Sequence, residues 1–146
     1  IDADGLFAIK GNLDILKKND VCITPHHSEY KMVFDEPLTH DNILTNSEKY
    51  QTTIVTKGKV DLISDGKKVI KNFTGNSGMT TGGTGDILSG LIAAFAAKGT
   101  IIEASCAGTF LNGIAGDITA EEIGINFRSS DMLKRIPRAL KFCGKY

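Results

Sequence analysis

The first apolar positions, Leu6, Phe7, Ile9, Leu13, Ile15 and Leu16, are spaced to suit a short helix interrupted at Gly11 and closed by Lys17-Lys18-Asn19. Residues 20–24 change the pattern. Val21, Cys22 and Ile23 are contiguous rather than alternating, as in a short parallel strand covered on both faces, and Pro25 ends the run. Helices are expected over residues 28–34 and 41–50, with Asp41 as N-cap of the second. The β-branched run 52–56 predicts a strand that stops at Lys57-Gly58. Segments 60–64 and 68–73 flank Asp65-Gly66, a pair that favours a tight turn, and so predict an antiparallel hairpin. Residues 75–86 hold five glycines and a single hydrophobic residue, Met79, which marks a loop built for backbone access. An alanine-rich helix is expected over 87–97. A second, over 101–119, carries Ala104, Ser105, Ala107, Gly108 and Gly113, small enough for close helix contact. Ser130-Asp131 is expected to cap a last amphipathic helix bearing Met132, Leu133, Ile136, Ala139, Leu140 and Phe142. Strands alternating with helices, plus a late hairpin, define an α/β layered domain with a largely parallel sheet flanked by helices. Ile1-Asp2-Ala3-Asp4-Gly5 reads as a strand end running into a loop, so the chain is expected to begin inside a domain.

Composition narrows the function classes. With 146 residues and 41% hydrophobic content the chain can build one core. Lysine plus arginine equal aspartate plus glutamate at 17 each, so no strong field favours nucleic acid or an anionic membrane, and a small-molecule site fits better. Cys22, Cys106 and Cys143 are odd in number and form no CxxC pair, which argues against a disulfide framework or zinc site and for a reducing, cytoplasmic setting. The apolar run 91–97 falls well short of the roughly 20 residues that span a bilayer, and no signal peptide is visible.

The strongest chemical signal is Gly82-Gly83-Thr84-Gly85-Asp86 directly before an apolar helix. Glycines let the backbone turn its N–H groups toward a ligand, and the helix N-terminus adds partial positive charge, so a phosphate is the natural guest. No Gly-Lys-Ser or Gly-Lys-Thr follows, which excludes a Walker-type loop. Asp86 alone reads equally well as a helix-capping acid. The glycine density favours a site, because each ordered glycine costs roughly 1 kcal/mol that a bound anion would offset. A carboxylate beside a phosphate is suited to taking a proton from a substrate hydroxyl, whose oxygen then attacks the phosphoryl group, which makes Asp86 the candidate general base.

These residues resemble a known family. Asn76-Ser77-Gly78-Met79 with Gly82-Gly83-Thr84-Gly85-Asp86-Ile87-Leu88 is similar to the C-terminal signature of the NAD(P)H-hydrate dehydratases, in the ribokinase-like superfamily. Asp2-Ala3-Asp4-Gly5-Leu6, Thr24-Pro25-His26 with Glu29, Lys57-Gly58, Gly113-Ile114-Ala115-Gly116-Asp117 and residues 131–137 extend the resemblance over nearly the whole chain. It departs at His27-Ser28, where the family usually has a small residue and glycine. The resemblance implies the C-terminal half of a ribokinase-like domain that uses ADP, or ATP in eukaryotic members, to dehydrate hydrated NADH and NADPH. Asp86 and His26 would face the hydrated cofactor. Lys57, Gly58, Lys59, Val60 and Asp61, with Asn76, Gly82, Gly83, Thr84 and Gly85, would contact the nucleotide. Mg2+ is expected wherever phosphoryl groups move, with no ligand set identified.

On the residues alone, His26 reads as a structural histidine, and Asp2 and Asp4 read either as substrate- or metal-proximal acids or as solvent-facing punctuation. Lys134, Arg135, Arg138 and Lys141 read as the wet face of the last helix. A whole ribokinase-like domain needs roughly 250 to 300 residues, so an N-terminal half is expected as a partner segment, and dimeric or ring-like assembly would be one way to cover exposed apolar surface. Two other functions use the same loop: a small-molecule kinase acting on a vitamin-precursor alcohol, and a nucleotide-binding half-domain that does not turn over.

Overall fold

Strand β2, Thr53–Thr56, organises the molecule, because its β-branched residues are buried at all four positions. Ile54 belongs to one apolar cluster and Val55 to another on the opposite side, as alternation along a strand requires. The computed structural model describes residues 1–18 and 20–144. On one face lie α1 (Asp4–Ile9), a 3-10 turn (Leu13–Lys18), α2 (His27–Phe34) and α3 (His40–Tyr50). They enclose Leu6, Leu16, Ile23, Tyr30, Ile43 and Ile54. On the other face α4 (Thr84–Ala96) and α5 (Ile101–Ile123) cover Val55 and Ile63 with Leu88 and Ile92. Behind them, α6 (Ser129–Leu133) and α7 (Ile136–Cys143) close a third cluster around Leu111, Ala115 and Met132. Each large aliphatic side chain buried this way stabilises the fold by about 1.5–3 kcal/mol.

The sheet runs β1-β2-β3-β4, with β1 at Cys22–Ile23, β3 at Asp61–Ser64 and β4 at Val69–Asn72. The α/β layering is the expected one, and the sheet is mixed: β1 and β2 are parallel, while β2–β3 and β3–β4 are antiparallel. The hairpin follows the prediction, with Ser64 opposite Val69 and Gly66 at φ 86°.

Local chemistry moves several boundaries. Gly11, at φ 82°, breaks the first helical run as expected, and Asn19 of the expected closing cluster lies outside the described residues. Helix α3 is capped not by Asp41 but by Thr39, whose hydroxyl accepts from the Asn42 amide at 3.1 Å. The last amphipathic run is two helices rather than one. Asp131 does not cap from the front; it sits in the first turn of α6 and accepts the Arg128 N–H at 3.1 Å. Pro137 then fits the first turn of α7, where its missing N–H is not needed. Lys134, Arg138 and Lys141 are exposed, as expected of a solvated face, whereas Arg135 is half-buried; Arg135 and Arg138 also pair with Glu122 at the end of α5. The three thiols are free and half-buried. Among the described residues no helix is long and apolar enough to cross a membrane.

Candidate functional site

Three chain segments meet at the carboxyl ends of the parallel strands, where open α/β sheets bind ligands. The strand direction of β1 continues through Pro25 to His26, that of β2 to Lys57, and the two residues form a parallel bridge, with the Lys57 N–H donating to Pro25 O at 3.1 Å. Beside them Ile1 pairs with the β1 backbone: its backbone nitrogen donates to Cys22 O at 2.7 Å, and Thr24 N–H donates back to Ile1 O at 3.1 Å. Asp2 is thereby set at the same edge.

The glycine loop arrives from the other side. Asn76 starts a 3-10 turn, Ser77–Thr80, inside what the sequence presents as plain loop, and its side-chain oxygen accepts the Gly78 N–H at 3.0 Å. Gly83 then serves as N-cap of α4 at φ 91°, a backbone state that a side chain would strain. Helix α4 begins at Thr84, earlier than expected, so Gly85 and Asp86 lie in its first turn. Thr84 locks the turn by donating to Met79 O at 2.8 Å. Packing and backbone explain two of the glycines: a Cβ on Gly78 would strike Ile125 and Phe127, and Gly83 needs its positive φ. Gly82 has nothing within 4 Å, and Gly85 faces Lys57 Nζ and Asp2 Oδ2 at 3.4 and 3.5 Å from an ideal Cβ. These two leave the first turn of α4 open to a ligand, with its N–H groups and dipole facing outward.

Asp86 is exposed and makes no hydrogen bond or ion pair among the described residues, as a proton acceptor waiting for a substrate would be. Lys57 is not a free cation. Its Nζ donates to Asp2 Oδ1 at 2.8 Å and lies 4.0 Å from Glu29 Oε2. Asp2 is therefore no solvent punctuation, whereas Asp4 is exposed in the first turn of α1. Burial pushes the Asp2 carboxyl up, but the Lys57 ammonium and the Ser89 and Thr24 hydroxyls outweigh it and hold the group below its usual value. His26 caps α2: Nδ1 accepts from the Ser28 and Glu29 amides, both at 3.2 Å, while the His26 backbone N–H donates to Glu29 Oε2 at 2.8 Å. That bonding places the proton of the neutral ring on Nε2, which sits 3.5 Å from Glu29 Oε1. The structural role read from the residues is thus present, and it leaves the exposed Nε2 edge for a substrate.

Two of the expected contact residues are turned inward. Asp61 accepts from the Gly58 amide at 3.0 Å and from Asn72 at 2.9 Å, which closes the turn made by Gly58, Lys59 and Val60. Burial pushes its carboxyl up despite those donors. Asn76 donates to Asp117 Oδ1 at 2.9 Å, and Gly75 N–H donates to Asp117 Oδ2 at 3.0 Å. Their side chains shape the site rather than line it. Asp2, Ser89 and Asp117 are the residues the sequence reading left out of the site. The signals for Asp2 and Asp117 were the family-like segments that hold them, residues 2–6 and 113–117; Ser89 lies inside a helix and gave none.

A separate cleft lies elsewhere. About 910 Å³ in volume, it is lined by Lys10, Lys17, Met32, Phe34 and Tyr50 among others, and none of its lining residues belongs to the glycine loop. The edge built by Asp2, His26, Lys57 and Gly85 carries the convergent polar groups and is the better candidate.

The architecture and this edge define a ribokinase-like α/β protein. A ribokinase-like superfamily protein from Enterococcus faecalis V583 superposes with a TM-score of 0.81 at 27% identity, over 97% of this chain and 51% of that one. The ADP/ATP-dependent NAD(P)H-hydrate dehydratase from Bacillus subtilis, co-crystallised with ATP and Mg2+, shares the fold with a TM-score of 0.77 at 24% identity, over 84% and 47%. Residues 1–138 match the family model of the NAD(P)H-hydrate dehydratases. The bifunctional NAD(P)H-hydrate repair enzyme Nnr of Archaeoglobus fulgidus is 40% identical over 94% of this chain and 29% of its own length. The ADP-dependent (S)-NAD(P)H-hydrate dehydratase of Cenarchaeum symbiosum is 34% identical over 88% and 47%. The chain belongs to the NAD(P)H-hydrate dehydratase family, and it spans less than half the length of these two relatives.

Proposed function

We propose that this chain is the C-terminal half of a ribokinase-like domain that dehydrates hydrated NADH and NADPH at the expense of ADP or ATP. The observation that carries this function is the open first turn of α4, with Asp86 exposed in it and Lys57 beside Gly85. Asp86 accepts the proton of the ring hydroxyl. The freed oxygen attacks the terminal phosphoryl group, an O–P bond forms and the bridging P–O bond of the nucleotide breaks. The N–H groups at the start of α4 and the Lys57 ammonium meet the charge that develops on the phosphoryl oxygens. The C–O bond of the phosphate ester then breaks, its electron pair leaving with phosphate, and loss of a ring proton restores the double bond. His26, through Nε2, is assigned to the hydrated cofactor. Gly58, Lys59, Val60 and Asp61 together with Asn76, Gly82, Gly83, Thr84 and Gly85 are assigned to the nucleotide side, Asp61 and Asn76 by shaping its walls.

The proposed metal is Mg2+. Among the described residues no group of three or more His, Cys, Asp or Glu could hold an ion, and the Lys57 ammonium stands between the Asp2 and Glu29 carboxylates. That donor set is not a metal cage, so Mg2+ is assigned to the phosphates of the nucleotide, the usual mode for a cation that keeps its waters. Free thiols at Cys22, Cys106 and Cys143 agree with a cytoplasmic setting. Phe7 and Phe73, 60% and 73% exposed, are surfaces for the remainder of the domain or a second copy to cover.

The test supplies the full-length protein with hydrated NADPH, Mg2+ and either ADP or ATP, and follows the reduced-nicotinamide absorbance together with free phosphate. Both should rise in equal amounts with one of the nucleotides. A phosphorylated alcohol that persists, with no recovered absorbance, would instead identify a small-molecule kinase. Nucleotide binding without any turnover would identify a sensing half-domain.

A further inference from the structure

Lysine has three donors, and Lys57 spends one of them on Asp2 at 2.8 Å. The 4.0 Å gap to Glu29 is too long for a hydrogen bond. Two donors therefore remain on an ammonium that lies against Gly85 in the first turn of α4. Asp2 is itself held from α4: the Ser89 hydroxyl, one helical turn beyond Gly85, donates to its second oxygen at 2.9 Å. The backbone beside it is strained. Ala3 sits at φ 48°, ψ −123°, a corner usually given to glycine, with the Gly5 N–H closing the turn onto Asp2 O at 3.0 Å. Ser89, Asp2 and Lys57 thus form one chain of contacts that begins and ends on the first two turns of α4.

We propose that Asp2 is a positioning residue for the anion site: gripped by Ser89, its carboxylate holds the Lys57 ammonium at the Gly85 turn, where its two remaining donors meet the nucleotide's phosphate. This role rests on the nucleotide site proposed above. Removing the carboxylate does not simply relieve repulsion of the anion. Glu29 is the next carboxylate within 4.0 Å of the ammonium, and it draws Lys57 toward α2 and away from the turn. Asp2 and Lys57 then act as a unit, and their losses do not add.

The experiment is a double-mutant cycle in the full-length protein, reading equilibrium binding of ADP by calorimetry beside turnover of hydrated NADH. Asp2→Asn and Lys57→Met should each weaken ADP binding by roughly tenfold, and the double variant should be no weaker than Lys57→Met alone. A merely structural Asp2 would cost binding equally in both backgrounds. Ser89→Ala keeps the carboxylate and removes its grip, so it should weaken ADP binding less than Asp2→Asn and again only when Lys57 is present; it carries the test if Asp2→Asn does not fold. Unchanged or tighter ADP binding by the Asp2 and Ser89 variants, or equal losses with and without Lys57, overturns the proposal. Binding and turnover separate the two claims. Non-additive ADP binding in a protein that never restores NADH upholds the positioning role and sinks the dehydratase; full turnover with additive losses does the reverse.

Discussion

Asp86 can be neutralised without disturbing the fold, because it is exposed and its carboxylate holds no partner among the described residues. Asp86→Asn is therefore expected to leave the thermal midpoint where it was and to lower turnover by roughly 10²–10⁴-fold, the usual contribution of a general base. Asp2 behaves differently. Its carboxyl is held below the ordinary value of 3.8, so the folded state binds fewer protons there than the unfolded chain. The stability it supplies is fully present above that value and is lost as pH falls through the lower folded one. Urea unfolding of wild type and Asp2→Asn should differ at neutral pH and converge in strong acid. A constant difference across that window would contradict the ion pair with Lys57. At this scale the sequence was legible where a motif repeats a backbone requirement, as at Gly83 and Asp86. It was not legible where the partner is far along the chain: Asp2 meets Lys57 across 55 positions and Ser89 across 87, and Asp117 reaches back 41 to Asn76.

Helices α4 and α5 pack against each other where Gly108 meets Ile92, and two other glycines of these helices should respond oppositely to alanine. Gly113 faces Thr74, and a Cβ would overlap it, including backbone that holds the loop before Asn76. Gly113→Ala is expected to destabilise by about 1–3 kcal/mol. Gly90 lies exposed in the middle of α4 with nothing within 4 Å. Gly90→Ala should stabilise by about 0.5–1 kcal/mol. Chemical denaturation of both variants checks the pair; equal effects would mean that α5 does not sit against Thr74 as described. Periodicity located most elements within a few residues because burial follows it, as for β2 and α4. It failed at the ends and at residues 129–143, where one apolar stripe runs through two helices and the break at Lys134 and Arg135 leaves no mark in the pattern.

Across the whole molecule, the order of elements places the carboxyl ends of β1 and β2 opposite the start of α4, and every candidate contact follows from that placement. The sheet's mixed pairing does not affect it, since the antiparallel hairpin lies on the far side of β2 from β1. A ligand that binds only this folded arrangement must stabilise it by mass action, by about 2.7 kcal/mol at one hundred times its dissociation constant. ADP or ATP should therefore raise the melting temperature of the full-length protein, and less so for Lys57→Met. An unchanged melting temperature at saturating nucleotide would argue against a site at this edge.

The most direct measurement follows the reduced-nicotinamide absorbance when hydrated NADH, Mg2+ and nucleotide are added to the full-length protein and to Asp86→Asn. Recovery that requires nucleotide in the wild type, and is lost in a variant that still folds and binds ADP, is the predicted result. Recovery at the same rate by Asp86→Asn would contradict the role given to the first turn of α4.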